Sequence, residues 1–166
     1  MTMDYDKAAG FWVKKDKETA VCPDVKERLD AFLAAHHVCA LAAAANDFVR
    51  CTPLEYTYLE HAFWIFSEGG LKFRALKENR HVCLAVFDSD PSFGGLHSAQ
   101  IMGTAEIVEP FSEEYEKLLA YKHIPEAVIR KMEEPMHLIK VIPEEADYLD
   151  SGLKKEGYGS RQHIVF

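Results

Sequence analysis

The sequence predicts an α+β, mainly β chain, an antiparallel six-stranded β-barrel with flanking helices. Three observations lead there. Short apolar or alternating runs recur between clusters of turn residues, most joins are of hairpin length, and helical periodicity is confined to the start, the middle and one late stretch. With 166 residues and no repeat, low-complexity tract or linker, one domain (1–166) is expected, its core at about 25–149 and a tail at 150–166.

Taken in order, Asp4 to Trp12 reads as a short helix packing Ala8, Phe11 and Trp12. Pro23-Asp24 opens a second helix, in which Val25, Leu29, Phe32 and Leu33 recur at helical spacing as far as His36 or His37. The alanine-rich run Val38 to Ala45 has helical propensity, but the turn pair Asn46-Asp47 and the β-rich run Phe48 to Tyr58 make the pair a hairpin. Pro53 cannot donate to a ladder, so that second strand belongs at an edge, a bulge or a break, with amides free for a ligand.

A turn at Leu59 to His61 precedes the strand Phe63 to Phe66, which ends at Ser67-Glu68-Gly69-Gly70. Leu71 to Asn79 has a helical period, and Val82 to Phe87 reads as a buried strand. Beyond a polar loop at Asp88 to Gly95, Ser98 to Glu109 alternates with Ala99, Ile101, Gly103, Ala105 and Ile107 on one side. Ser112 caps a helix through Tyr121, a shorter one follows Pro125, and Met136 to Ile142 is the last strand expected before the tail.

Composition excludes several functions. The net charge of −8 opposes phosphate-backbone binding, so nucleic acid is not an expected partner. No apolar run is long enough to span a bilayer, and the acidic N-terminal segment lacks a secretory pattern, so a cytoplasmic protein is expected, with no membrane partner. Cys22, Cys39, Cys51 and Cys83 form no C-x-x-C pair and read as free, buried thiols. His36-His37-Val38-Cys39 has no second ligand cluster, so no metal site is expected.

Two places suggest anion binding. In Phe66-Ser67-Glu68-Gly69-Gly70-Leu71-Lys72-Phe73-Arg74 a strand passes through two glycines into a helix whose first turn carries cations. The bland reading is solvated surface charge. In Val49-Arg50-Cys51-Thr52 a charge interrupts an apolar or small strand. Arg50 there either snorkels from an edge, pairs with a carboxylate such as Glu55, or supplies bidentate donors to a phosphate or flavin oxygen.

These residues carry a resemblance. The order of an Arg strand (Arg50 to Glu55), an aromatic strand ending Phe66-Ser67, the turn Gly70-Leu71-Lys72 into a helix ending near Asn79, and Gln100-Ile101-Met102-Gly103-Thr104-Ala105-Glu106 resembles the pyridoxamine 5'-phosphate oxidase-like FMN-binding split-barrel family over about 25–145. The resemblance implies a split β-barrel homodimer with FMN between subunits. Arg50 and Lys72 would meet the phosphate or ribityl chain, the backbone of Cys51, Thr52 and Pro53 the isoalloxazine edge, Phe66 and Ser67 the phosphate end, and Gln100 the flavin of the partner. The chain departs from the oxidase at Gly70 and Leu71, where the oxidase has Ser and Arg. Its tail carries Tyr158, Ser160 and Arg161 without the clear C-terminal substrate motif.

The implied function is an FMN-dependent oxidoreductase acting on an unidentified small molecule. The alternative is a flavin- or haem-binding split barrel that stores, senses or degrades. A cofactor-free dimeric scaffold is the bland reading. No catalytic residue is identifiable, His61, His81 and His97 being candidates by chemistry alone. FMN is expected over FAD because no dinucleotide-type glycine motif is present. Phe63, Trp64 and Phe66 are expected interface anchors. Arg50→Ala is expected to weaken FMN more than Lys72→Ala, the helix N–H groups compensating for the lysine.

Overall fold

The computed structural model describes residues 3–16, 18–89 and 94–166, apart from the side chains of Trp12 and Asp16. The expected packing of Trp12 and the middle of the loop Asp88 to Gly95 therefore lie outside the described residues. The first helix, α1 (Tyr5–Asp16), is longer than expected and leaves Ala8 and Phe11 largely exposed. Helix α2 (Val25–Ala35) buries Val25, Leu29, Phe32 and Leu33, as their spacing predicts. β1 (Val38–Ala45) and β2 (Phe48–Glu55) form the expected hairpin in unbroken register from Val38↔Glu55 to Ala45↔Phe48.

The remaining elements are β3 (Thr57–Leu59), β4 (Ala62–Ser67), α3 (Lys72–Glu78), β5 (His81–Phe87), β6 (His97–Val108), α4 (Glu113–Tyr121), α5 (Glu126–Ile129), β7 (His137–Asp150), a 3₁₀ turn (Ser151–Glu156) and β8 (Arg161–Val165). The strands form one antiparallel sheet in the order β2-β1-β5-β6-β7-β4-β3, with β8 beside the second half of β7. β2 and β3 end that order on opposite sides yet adjoin in sequence, so the sheet curls into a half-barrel that the chain closes through Tyr56. That residue is fixed twice: its N–H donates to the His37 carbonyl at 2.8 Å, and its hydroxyl donates to the Leu33 carbonyl at 2.8 Å.

Among the described residues eight strands replace the six expected, for two physical reasons. The run from Phe48 divides at buried Tyr56 rather than at Pro53. Pro53 is tolerated inside β2 because β2 is an edge strand. β7 does not stop at Ile142, because Pro143 sits opposite Gly103 where the β6–β7 register shifts, and a bulge needs no ladder donor there. The tail then returns as β8.

Alternation sets the two faces of the curl. Cys39, Leu41 and Ala43 of β1, Val82, Leu84 and Val86 of β5, and Ala99, Ile101 and Ala105 of β6 point inward and make the main core with α2. The extra residue of the bulge lies in β7, so β6 keeps its phase: Ile107 stays on the side of Ala105, opposite Ile139, but is exposed, while Val108 is buried on the other side, opposite Leu138. A second core lies outside the barrel, where Ala62, Trp64, Val108 and Leu138 pack against Tyr115, Leu118 and Leu119 of α4 and Ile129 of α5. Ser112 caps α4 as expected, its Oγ accepting from the Tyr115 N–H at 3.4 Å. No helix among the described residues is long and apolar enough to cross a membrane.

Candidate functional site at the open edge of β2

Among the described residues β2 pairs only with β1, so its outer edge presents backbone groups outside any ladder. α3 and β4 both lie against β2. β4 passes inward-facing Phe63 and Ile65 and ends with Ser67 buried on the same face, after which Gly69 and Gly70 turn the chain at φ 128° and 106° into α3. Such dihedrals favour glycine, which explains the Gly-Gly pair.

The turn is knotted around one carbonyl. Ser67 Oγ donates to the Gly69 carbonyl at 3.1 Å and accepts from the Gly69 N–H at 3.1 Å, and Lys72 Nζ donates to the same carbonyl. Lys72 is only 4% exposed, and its ammonium also lies 5.2 Å from the centre of the Phe73 ring. Burial, and next the nearby Arg50 guanidinium, push this lysine below its ordinary range. Neither cation forms an ion pair with a carboxylate among the described residues. A buried ammonium beside a second cation is costly unless something anionic joins it.

Arg50 is exposed and extends from the inward face of β2, opposite Ala43, so of the readings open to it from sequence it snorkels. The expected alternative partner, Glu55, is instead held by Lys122 at 2.5 Å. Thr52 shares Arg50's face, opposite Leu41. Its Oγ1 is buried without a hydrogen-bond partner, alone in this respect among the described residues. Cys51 and Pro53 point to the outer face and are exposed, which corrects the expectation that Cys51 is buried.

The structure therefore sets Arg50 near Lys72, ties Lys72 and Ser67 to one carbonyl, keeps Thr52 on the face of Arg50, and separates two expected members from them. The Phe66 side chain faces away from Ser67, edge-on to Tyr115 at 5.4 Å in the outer core. Gln100 is exposed on the outer face of β6, in the row Pro53–Ala40–Ala85–Gln100. Three strand steps place it about 14 Å from Pro53 in the same chain. The helix-end reasoning also changes, because α3 spans only seven residues. Its first N–H groups are spent, Phe73 donating to Gly70 and Arg74 to Leu71.

Sequence reading missed an outer face of small residues. Ala40, Ala42 and Ala44 of β1, Ala85 and Cys83 of β5, and Cys51 and Pro53 of β2 all point outward, bordered by exposed Val38, Val49, Phe87 and Met102. The alanine run that obscured β1 was its signal. Phe63 and Trp64, expected interface anchors, are buried in the chain's own cores.

Residues 25–150 match the family model described as pyridoxamine 5'-phosphate oxidase. Among solved structures the chain is similar to a FAD-binding protein from Mesorhizobium loti, with 23% identity over 77% of this chain and 91% of that one and a TM-score of 0.58. It is similar to a structure from Listeria innocua bearing the name pyridoxamine 5'-phosphate oxidase, with 21% identity over 75% and 98% and a TM-score of 0.60. A haem storage protein from Vibrio cholerae is also similar, with 14% identity over 71% and 89% and a TM-score of 0.58. At these identities the solved structures speak for the fold. No curated protein matches the chain.

Proposed function

We propose, for a chain that belongs to the pyridoxamine 5'-phosphate oxidase family, that two copies hold FMN between them and use it in oxidoreduction of a small molecule. The observation that carries this reading is the carboxylate-free pair of buried Lys72 and exposed Arg50 beside an open strand edge. A phosphate ester supplies the missing negative charge. When bound, the flavin supplies the electron-accepting ring. The chain's residues bind and orient: Lys72, fixed by the Ser67–Gly69 knot, meets the phosphate from inside, Arg50 closes over it from solvent, and the edge of β2 at Cys51 to Pro53 offers backbone groups to the ring. Gln100 reaches this site only from a second copy. The single phosphate cradle favours FMN over FAD. Protein purified under mild conditions is expected to show flavin absorbance and to release FMN on denaturation, whereas a colourless protein unable to take up FMN contradicts the reading.

Thr52 provides a test that separates binding from folding. If its unpaired hydroxyl meets the bound ligand, Thr52→Val weakens FMN several-fold while raising the stability of the flavin-free protein by about 1 kcal/mol, since an unpaired buried hydroxyl is costly. Urea denaturation and flavin titration of the same sample read both quantities, and a loss of stability with unchanged FMN affinity contradicts the assignment.

The homodimer reading rests on the outer face. Exposed Val38, Val49, Phe87 and Met102 around a floor of alanines form a surface that a second copy can cover closely. Sedimentation is expected to show a dimer, and Met102→Glu to shift it toward monomer with loss of flavin. A monomeric parent with full flavin occupancy contradicts it.

A haem-binding reading has its own observation. His137 pairs with Ser67 in the β4–β7 ladder, and its ring lies 4.9 Å from that of Phe73, which puts an imidazole beside the cation pair. Cations that suit a phosphate also suit propionates, and similarity to a haem storage protein supports the same reading. The buried lysine at a glycine turn favours the phosphate.

A further inference from the structure

We infer that the cleft between the end of α1 and the 3₁₀–β8 segment is a second anion site, which takes the phosphate group of a small phosphomonoester or free phosphate. The lining of the cleft, of about 270 Å³, includes Lys15, Lys154, Arg161, Thr19, Tyr158 and Ser160. Three cations and three hydroxyls converge there, and no carboxylate among the described residues lines it, in a chain whose net charge is −8. That concentration of one sign favours an anion.

The walls are prebuilt. Gln162, buried, accepts from the Cys22 N–H at 3.0 Å and donates to the Ala20 carbonyl at 3.2 Å and the Gly159 carbonyl at 2.7 Å, while the Gly159 N–H donates to the Ala20 carbonyl at 3.1 Å. A Cβ on Gly159 would stand 2.5 Å from Thr19 Oγ1, so glycine is what lets the two walls meet. Gly157 caps the 3₁₀ turn at φ 90°. The nearby carboxylate of Glu156 is occupied by Arg28 through bonds of 2.9 and 2.7 Å. Lys15, Thr19 and Arg161 already have partners within the chain, so they are held in place, and Lys154 has no ion pair among the described residues. The volume admits a phosphate with a few carbons and is below that of a drug-sized pocket. The site is independent of the proposed flavin site, since β8 lies five strands from β2 along the order β2-β1-β5-β6-β7-β8.

The test is a titration of the whole protein, at constant ionic strength, with inorganic phosphate or methyl phosphate replacing chloride. It is read from the ¹H–¹⁵N shifts of Gly157, Gly159 and Ser160 rather than from those around Lys72. Saturable shifts are expected, with affinity about tenfold lower in Lys154→Gln and unchanged in the surface control Lys131→Gln. Tighter binding of methyl phosphate identifies a phosphomonoester as the ligand class, and equal binding identifies free phosphate. Shifts that never saturate, or a folded Lys154→Gln that binds like the parent, overturn the proposal. If Lys154→Gln does not fold, Lys154→Arg is read instead and must retain binding.

Discussion

Lys72→Met is expected to weaken FMN by about 2–3 kcal/mol while stabilising the flavin-free protein by about 1–2 kcal/mol. Two opposite effects follow from one cause. The ammonium is buried beside Arg50 with, among the described residues, the Gly69 carbonyl and the Phe73 ring as company, so without a ligand it costs stability, and with a phosphate the same charge attracts. Arg50 is exposed and already hydrated, so Arg50→Ala should cost about 1 kcal/mol of binding, which reverses the order read from sequence. The helix N–H groups that were to replace Lys72 are spent on Gly70 and Leu71.

The pH dependence has a definite sign. Lys72 titrates below the ordinary lysine value of 10.5 in the folded chain, so between the two values the unfolded chain binds more protons and stability rises with pH. The penalty is present in full below the folded value and is relieved as pH climbs through it toward 10.5. A bound phosphate favours the ammonium, so FMN affinity falls over that same window. Lys72→Met should flatten both profiles. Urea denaturation and flavin titration across pH check this, and a variant that loses stability without losing FMN contradicts the account.

Gly103→Ala is expected to destabilise the chain by about 3 kcal/mol or more. A Cβ there would lie 2.3 Å from the Ile142 carbonyl oxygen and 3.1 Å from both the Ile142 carbonyl carbon and Pro143 Cα. All three are backbone atoms, so no side chain can move aside. The contact sits at the bulge of the longest pairing in the sheet, where β6 and β7 both carry core residues such as Ile101, Ala105 and Val141. Gly10→Ala is the matched control. That position is in exposed α1 with nothing within 4 Å of the added carbon, and alanine there should be neutral or stabilising by up to about 1 kcal/mol. Equal urea midpoints for the two variants contradict the packing argument.

The barrel was legible wherever local chemistry and burial agreed. The α2 spacing, the Asn46-Asp47 turn, the Gly-Gly entry to α3 and the Ser112 cap each stand where their residues put them. Beyond Ile142 the legibility failed, because Pro143, Glu144 and Glu145 look like the end of a strand and only the opposed Gly103 makes them the middle of one. The family order of motifs was visible in sequence, and residues 25–150 carry it. Which side chains share a face was visible from period 2, but which face meets the core was not. That is why Phe63 and Trp64 looked like interface anchors and Phe66 like a neighbour of the phosphate. Lys72's burial depends on α3 folding back onto β1 and β2, a tertiary contact that no local pattern encodes.

The central claim is tested most directly by equilibrium titration of the flavin-free protein with FMN, FAD and haem side by side. Tightest binding is expected for FMN, with a stoichiometry of one per subunit and loss of affinity on Lys72→Met. Haem or FAD binding as tightly as FMN, or FMN affinity indifferent to Lys72, contradicts the account.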